Sequence, residues 1–199
     1  FDVPFRHSEF SAAIDDADTS ITSATVTINM AKTFTPTINI ATGYTVNFGN
    51  TIYNPFSGYN VDGGGSIAST GFFVINDTIN QHFFDEDGKG NIRRYYIQSG
   101  SSTRVIVDSS AGTVDYVTGT VKINALQITT VGLVDEATSS LIRLTAIPNA
   151  ANIQPTRNLL LNIDTANSTV AGAVDGISSG TTDGVQATQA TSFSTTSAY

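Results

Sequence analysis

The sequence predicts a mainly β fold of antiparallel hairpins and a meander, with one short N-terminal helix and an extended C-terminal tail. Three observations predict it. Apolar and polar residues alternate with period two through most of 23–164, the pattern of strands half-buried on one face. Short Gly- and Asp-bearing stretches of the kind that turn hairpins interrupt the alternation. Beyond Asp164 the pattern dissolves into Ala, Ser, Thr, Gly and Asp with isolated apolar residues. The chain thus divides into an N-terminal helical segment, 1–22, a β domain, 23–164, and a low-complexity extended tail, 165–199.

The helix is expected near the start, with Ser8 as its cap and Phe10 and Ile14 four apart on one face. Asp15, Asp16 and Asp18 stand at its C-terminal end, where the helix dipole disfavours acids, so they end it. From Ala24 the period becomes two, and Val26, Ile28, Met30 and Phe34 share a face before Pro36. Gly43–Gly49 reads as a second strand, with Tyr44, Val46 and Phe48 pointing one way. Asn54–Gly65 is a loop, since Gly63-Gly64-Gly65 is too flexible for an element interior. Gly71–Asn76 fits a strand buried on both faces. Gln81–Phe84 and Asn91–Ile97 then flank Asp85–Gly90, which reads as a solvated turn.

Ser101–Leu126 is the organising stretch. Thr103–Val107 is one strand, Ser109-Ser110-Ala111-Gly112 a turn, and Val114–Tyr116 and Val121–Asn124 a hairpin about Val117–Thr120. Three such strands are about the minimum for a self-supporting sheet. Leu141–Ile147 is the last strong strand, and Leu159, Leu161 and Ile163 alternate behind Pro155 and Arg157. The core is expected to hold Val26, Ile28, Val105, Val107, Val114, Tyr116, Val121, Ile123 and Leu144.

A chain of 199 residues suits one domain and buries roughly 70% of its unfolded surface, so its core needs no staples. Without Cys, neither disulfides nor a Cys-based zinc site are possible. Net charge is −8, and the nine Lys and Arg are scattered apart from Arg93-Arg94, which argues against nucleic acid as a partner. No apolar run is long enough for a transmembrane helix, so no membrane partner is expected. A chain opening on Phe1 rather than Met is expected to be a cut chain or a piece of a longer one. A Thr-rich surface with only 13% charged residues is the composition of proteins inside large assemblies or outside cells.

Candidate chemistry is thin. Asp85, Asp87 and Gly90 invite a calcium loop, but Lys89 occupies a ligand position and Tyr96 stands where a bidentate Glu belongs. His7 and His82 are the only imidazoles, and neither sits in a nucleophile motif; no Gly-x-Ser-x-Gly elbow and no Gly-Lys-Ser/Thr phosphate loop occurs. Asp15, Asp16 and Asp18 read as a wet helix end. The sequence therefore leads to no catalytic residue, no cofactor, no metal and no enzyme.

Several stretches carry a resemblance. The segment FRHSEFSAAIDDADTSITSATVTINMAKTFTP is similar to one in baseplate wedge proteins of contractile-tailed bacteriophages, where a helix with Ala-Ile-Asp leads through Asp-x-Ser-Ile into a Thr-rich strand. DEDGKGNIRRYYI, AGTVDYVTGTVKI and NIQPTRNLLLNID resemble later parts of that region, in the same order, from about Phe5 to Asp164. The resemblance is to the C-terminal portion of the large subunit that links neighbouring wedges. It implies a virion structural protein that contacts other wedge subunits and copies of itself.

The tail lies outside the resemblance. It lacks the apolar area to offset its own ordering entropy, so another surface is expected to hold it, either across a second subunit or as a strand added to a sheet edge. Val170, Val174, Ile177, Val185 and Phe193 are its candidate anchors. The alternative function is a tail-fibre or cell-surface adhesin domain binding glycans, for which Tyr44, Tyr53, Phe56 and Tyr59 are the available aromatic residues.

Overall fold

A computed structural model describes residues 3–54, 65–134, 137–138, 140–155 and 161–173. The mainly β class and the single short N-terminal helix are both present. Helix α1, His7–Asp15, starts after Arg6 rather than Ser8, which stands inside its first turn. The reason lies upstream. Phe5 exchanges both main-chain hydrogen bonds with Ile153 (2.8 and 3.0 Å), which holds the chain extended up to the helix. Asn152 Oδ1 then accepts from the His7 amide at 3.0 Å, so a distant residue does the work of a cap. Phe10 packs at a tilt against Phe5, ring centroids 5.5 Å apart, and no residue of α1 is fully buried.

Among the described residues eleven strands follow: β1 Met30–Phe34, β2 Ala41–Asn47, β3 Ile67–Ser69, β4 Phe72–Val74, β5 Asp77–Glu86, β6 Asn91–Ile97, β7 Arg104–Asp115, β8 Thr120–Val131, β9 Leu133–Val134, β10 Ala137–Thr138 and β11 Ile142–Ala146. β9 and β10 pair only with each other. The other nine form one antiparallel sheet, ordered β1-β11-β3-β5-β4-β8-β7-β6, with β2 beside β8. β6 also pairs with β5, so β5, β4, β8, β7 and β6 close into a ring. Phe72, Phe84, Ile92, Val121, Ile128, Ile142 and Leu144 are fully buried in a single core.

The central meander differs from expectation. Ser109–Gly112 is no turn; β7 runs unbroken through it. These small residues serve close approach instead. A Cβ on Gly112 would stand 2.1 Å from the Lys122 carbonyl oxygen, and Ala111 is buried beside it. The actual meander is β5–β6–β7–β8, turning at Asp87–Gly90, Gln98–Thr103 and Tyr116–Gly119. Gly119 takes the last turn at φ +69°, where glycine alone is unstrained.

Of the expected core, Val114, Val121, Ile123 and Leu144 are buried, while Val26, Ile28, Val105 and Tyr116 are half-buried. Val107 is 47% exposed. Tyr95 pairs with Ile106 and Arg94 with Asp108, so Val107 is the extra residue of a bulge and turns outward. The strand expected from Ala24 is paired only from Met30 onward. Ala24–Asn29 keeps the alternation of exposure, yet no main-chain hydrogen bond joins it to another strand among the described residues. β4 buries Phe72 and Val74 but leaves Phe73 half-exposed, so burial on both faces is only partial. Leu161 and Ile163 are exposed, and Leu159 lies outside the described residues. The start of the tail is not extended throughout, since Thr165–Asn167 forms a 3₁₀ turn.

Ile123→Ala should cost about 2–5 kcal/mol in urea unfolding, the range for a truncated core side chain. Val107→Ala, outside the core, should stay within about 0.5 kcal/mol of the parent. Equal losses at the two sites would contradict the bulge.

Candidate functional site

The acids Asp85 and Glu86, read from sequence as a solvated turn, are instead the end of β5 and are buried. The turn proper starts at Asp87. Its Oδ1 accepts from the Lys89 and Asn91 amides (2.8 and 3.0 Å), and its Oδ2 from Asn91 Nδ2 at 2.7 Å. The remaining two acids face opposite sides of the strand, as period two requires.

On one side, Asp85 sits directly across from Arg93. It accepts from Arg93 Nε and Nη2 at 3.0 and 2.9 Å, and from Arg104 Nη1 at 3.1 Å. Arg104 also lies 4.8 Å over the Tyr95 ring, which stacks on Phe83. Burial pushes the Asp85 carboxyl up, and the two guanidiniums oppose that.

On the other side, Glu86 Oε1 accepts from the Ser66 amide at 2.9 Å and Oε2 from Tyr116 Oη at 2.7 Å and from the Gly88 amide. Burial, then Glu86, raises the Tyr116 phenol. Each carboxylate is thus engaged by donors from several elements of its own fold.

His82 is fully buried on the Glu86 side of β5, against Phe72 and Tyr96. Its Nε2 lies 3.2 Å from Asp77 Oδ2 but outside hydrogen-bond geometry, and neither ring nitrogen finds a partner among the described residues. Asp77 is committed elsewhere. It accepts from the Asn80 amide and Nδ2 and the Ile79 amide, which hold its carboxyl down to about 2. Burial, then the Arg94 charge, depresses His82 below its ordinary 6.5, with Asp77 opposing.

His7 opens α1, with Nε2 3.0 Å from the Val26 carbonyl oxygen. Asp15 and Asp16 are exposed, and Asp18 accepts from the Ser20 amide and hydroxyl, which lowers its carboxyl. No group of three or more metal-ligating side chains occurs among the described residues. A groove of about 410 Å³ beside the Asp87–Gly90 turn is lined by Asn54, Lys89, Asp115, Tyr116 and Val117. Its one carboxylate, Asp115, caps its own turn through the Val117 and Thr118 amides.

Of the residues considered for glycans, Tyr44 is engaged within the fold. The Tyr44 ring packs at a tilt against Phe34, centroids 4.6 Å apart, and its hydroxyl accepts from the Thr37 amide. Tyr53 is exposed, and Phe56 and Tyr59 lie outside the described residues. Of the tail anchors, Val170 is 99% exposed, while Val174, Ile177, Val185 and Phe193 lie outside the described residues. No known family model, curated protein or solved structure matches this chain.

The buried polar groups were missed in sequence because Asp-Glu-Asp-Gly has the composition of a turn. The signal that finds them is continued alternation: His82, Phe84 and Glu86 share one face, Phe83 and Asp85 the other, and Arg93 stands where it can answer Asp85.

Two outcomes follow. Tyr116→Phe should cost about 1.5–3 kcal/mol in chemical denaturation, as for a hydrogen bond to a charged group, and a change under 0.5 would contradict the Glu86 contact. Unfolded His82 takes up its proton near 6.5, and the folded form only at lower pH, so its contribution is intact above 6.5 and is lost as pH falls through the folded value. Thermal midpoints should therefore decline below about pH 6.5, and His82→Leu should flatten that part of the profile.

Proposed function

We propose that this chain is a structural subunit of a contractile phage tail baseplate, joining neighbouring wedges and touching copies of itself in the virion. The ordered series of wedge-like segments from Phe5 to Asp164 supports the phage assignment. The structural observations that support the assembly reading are that Ala24–Asn29, though Ile28 packs against the core, has no strand partner among the described residues, and that every described residue of 161–173 is exposed. The buried acids support the same reading, since their hydrogen-bonding capacity is taken up in holding strands together.

Purified tails should contain the chain at a fixed copy number, located by particle imaging at the wedge junctions. Particles made without it should stop at a baseplate intermediate. The rival adhesin reading makes the opposite forecast. Saturable binding to a defined sugar on a glycan array, with no incorporation into particles, would replace the baseplate reading.

A further inference from the structure

We propose that Ala24–Phe34 is an acceptor edge, and that its occupant is a strand from the C-terminal segment 174–199 of a second copy of this chain. The inference deepens the assembly reading and does not depend on the assembly being a baseplate.

The edge comes first. β1 pairs with β11 alone, and Ala24–Asn29 in front of it has no strand neighbour on either side among the described residues; of its carbonyls, that of Val26 already meets His7 Nε2 at 3.0 Å. Protein edges are normally guarded by charge, proline or a bulge. Ala24–Ala31, ATVTINMA, has none of the first two and is rich in β-branched residues. Lys32 is the sole charged residue of Ala24–Phe34. Ala24, Val26 and Ile28 turn toward the body while Thr25, Thr27 and Asn29 face out, so the backbone is presented edge-on with its register set.

The occupant is argued from where the described chain goes. Asp164 Oδ2 lies 3.9 Å from Arg143 Nη1, and Arg143 is the β11 partner of Thr33. The last described stretch therefore begins one strand in from the open edge. From there it leaves: every residue of 161–173 is exposed, and Val170 makes almost no contact with its own chain. The segment 174–199 that follows spans up to roughly 85 Å when extended, enough to reach a neighbouring copy.

Its composition suits main-chain pairing. Gly184–Tyr199 has no charge and no Pro, and Asp175 and Asp183 before it complement Lys32. Such a strand is held by its backbone, with Val185 and Phe193 as its few apolar contacts. Each copy offers one edge and one strand, so the contact is head-to-tail and builds a ring or a filament.

The chain has no Cys, which makes the test direct. Full-length Thr27→Cys is mixed under oxidation with full-length Val185→Cys, and in parallel with Phe193→Cys to sample the register. Cross-linked pairs of unlike variants should form in at least one mixture, above the level of each variant alone. Light scattering of the unsubstituted chain should show mass growing with concentration. Thr27→Pro should move that growth at least tenfold higher in concentration while leaving the circular dichroism and melting point unchanged, because no strand of its own chain bonds there. Association unaffected by Thr27→Pro would place the contact elsewhere. A chain that stays monomeric, or a doubly substituted chain that links only to itself at high dilution, would overturn the proposal.

Discussion

The architecture depends on one edge of β8 serving two neighbours. Val121 pairs with Val46 of β2 on one side and Val114 of β7 on the other, so both edges are taken there. Further on, Ile128 to Val131 pair with β4 instead of β7. For that exchange β7 has to lie close against β8 and then peel away within a few residues. Gly112 permits the close approach, and Asn124 Nδ2, donating to the Ser110 carbonyl at 2.9 Å, spans the place where the strands part. Without the exchange, β4 has no place on β8 and the five-strand ring does not close.

Ring closure explains the buried charges. Strands that curl around a small core bring polar termini inside it, and a buried carboxylate is tolerable only when its lone pairs are occupied. Glu86 gathers donors from the approach to β3, from the β5–β6 turn and from the end of β7, three places far apart in sequence. Asp85 does the same for β6 and β7 through Arg93 and Arg104. Both acids serve as fasteners between elements that hydrophobic packing alone would leave free to slide.

Much of this was legible. Period two located β2 and β11 closely, because burial alternates along each. It failed where a strand meets something other than a flat neighbour. Ser109–Gly112 has turn composition, yet its smallness answers a crowded partner strand. Val107 follows the alternation but sits in a bulge that only the β6 register reveals. Ser8 is a good cap by residue type, and the Phe5–Ile153 bridge overrides it from across the chain. Ala24–Asn29 has the pattern of a paired strand, and pattern alone says nothing about whether a neighbour is supplied. The absence of a catalytic motif in the sequence left function to resemblance, and the buried polar groups add structure to that picture without adding a reaction.

The pairing of β1 with β11 also shapes how the molecule is made. Met30 finds Ala146 more than a hundred residues later, and Phe5 waits for Ile153. During synthesis the N-terminal third therefore emerges long before its partners. Contacts of such high sequence separation carry loop-closure entropy into the folding barrier and slow it. Meanwhile the uncharged ATVTINMA run stands open on both edges, with the helix end and its three aspartates just ahead of it. Those acids set negative charge just ahead of the uncharged run, the flanking position at which charge discourages strand-to-strand aggregation.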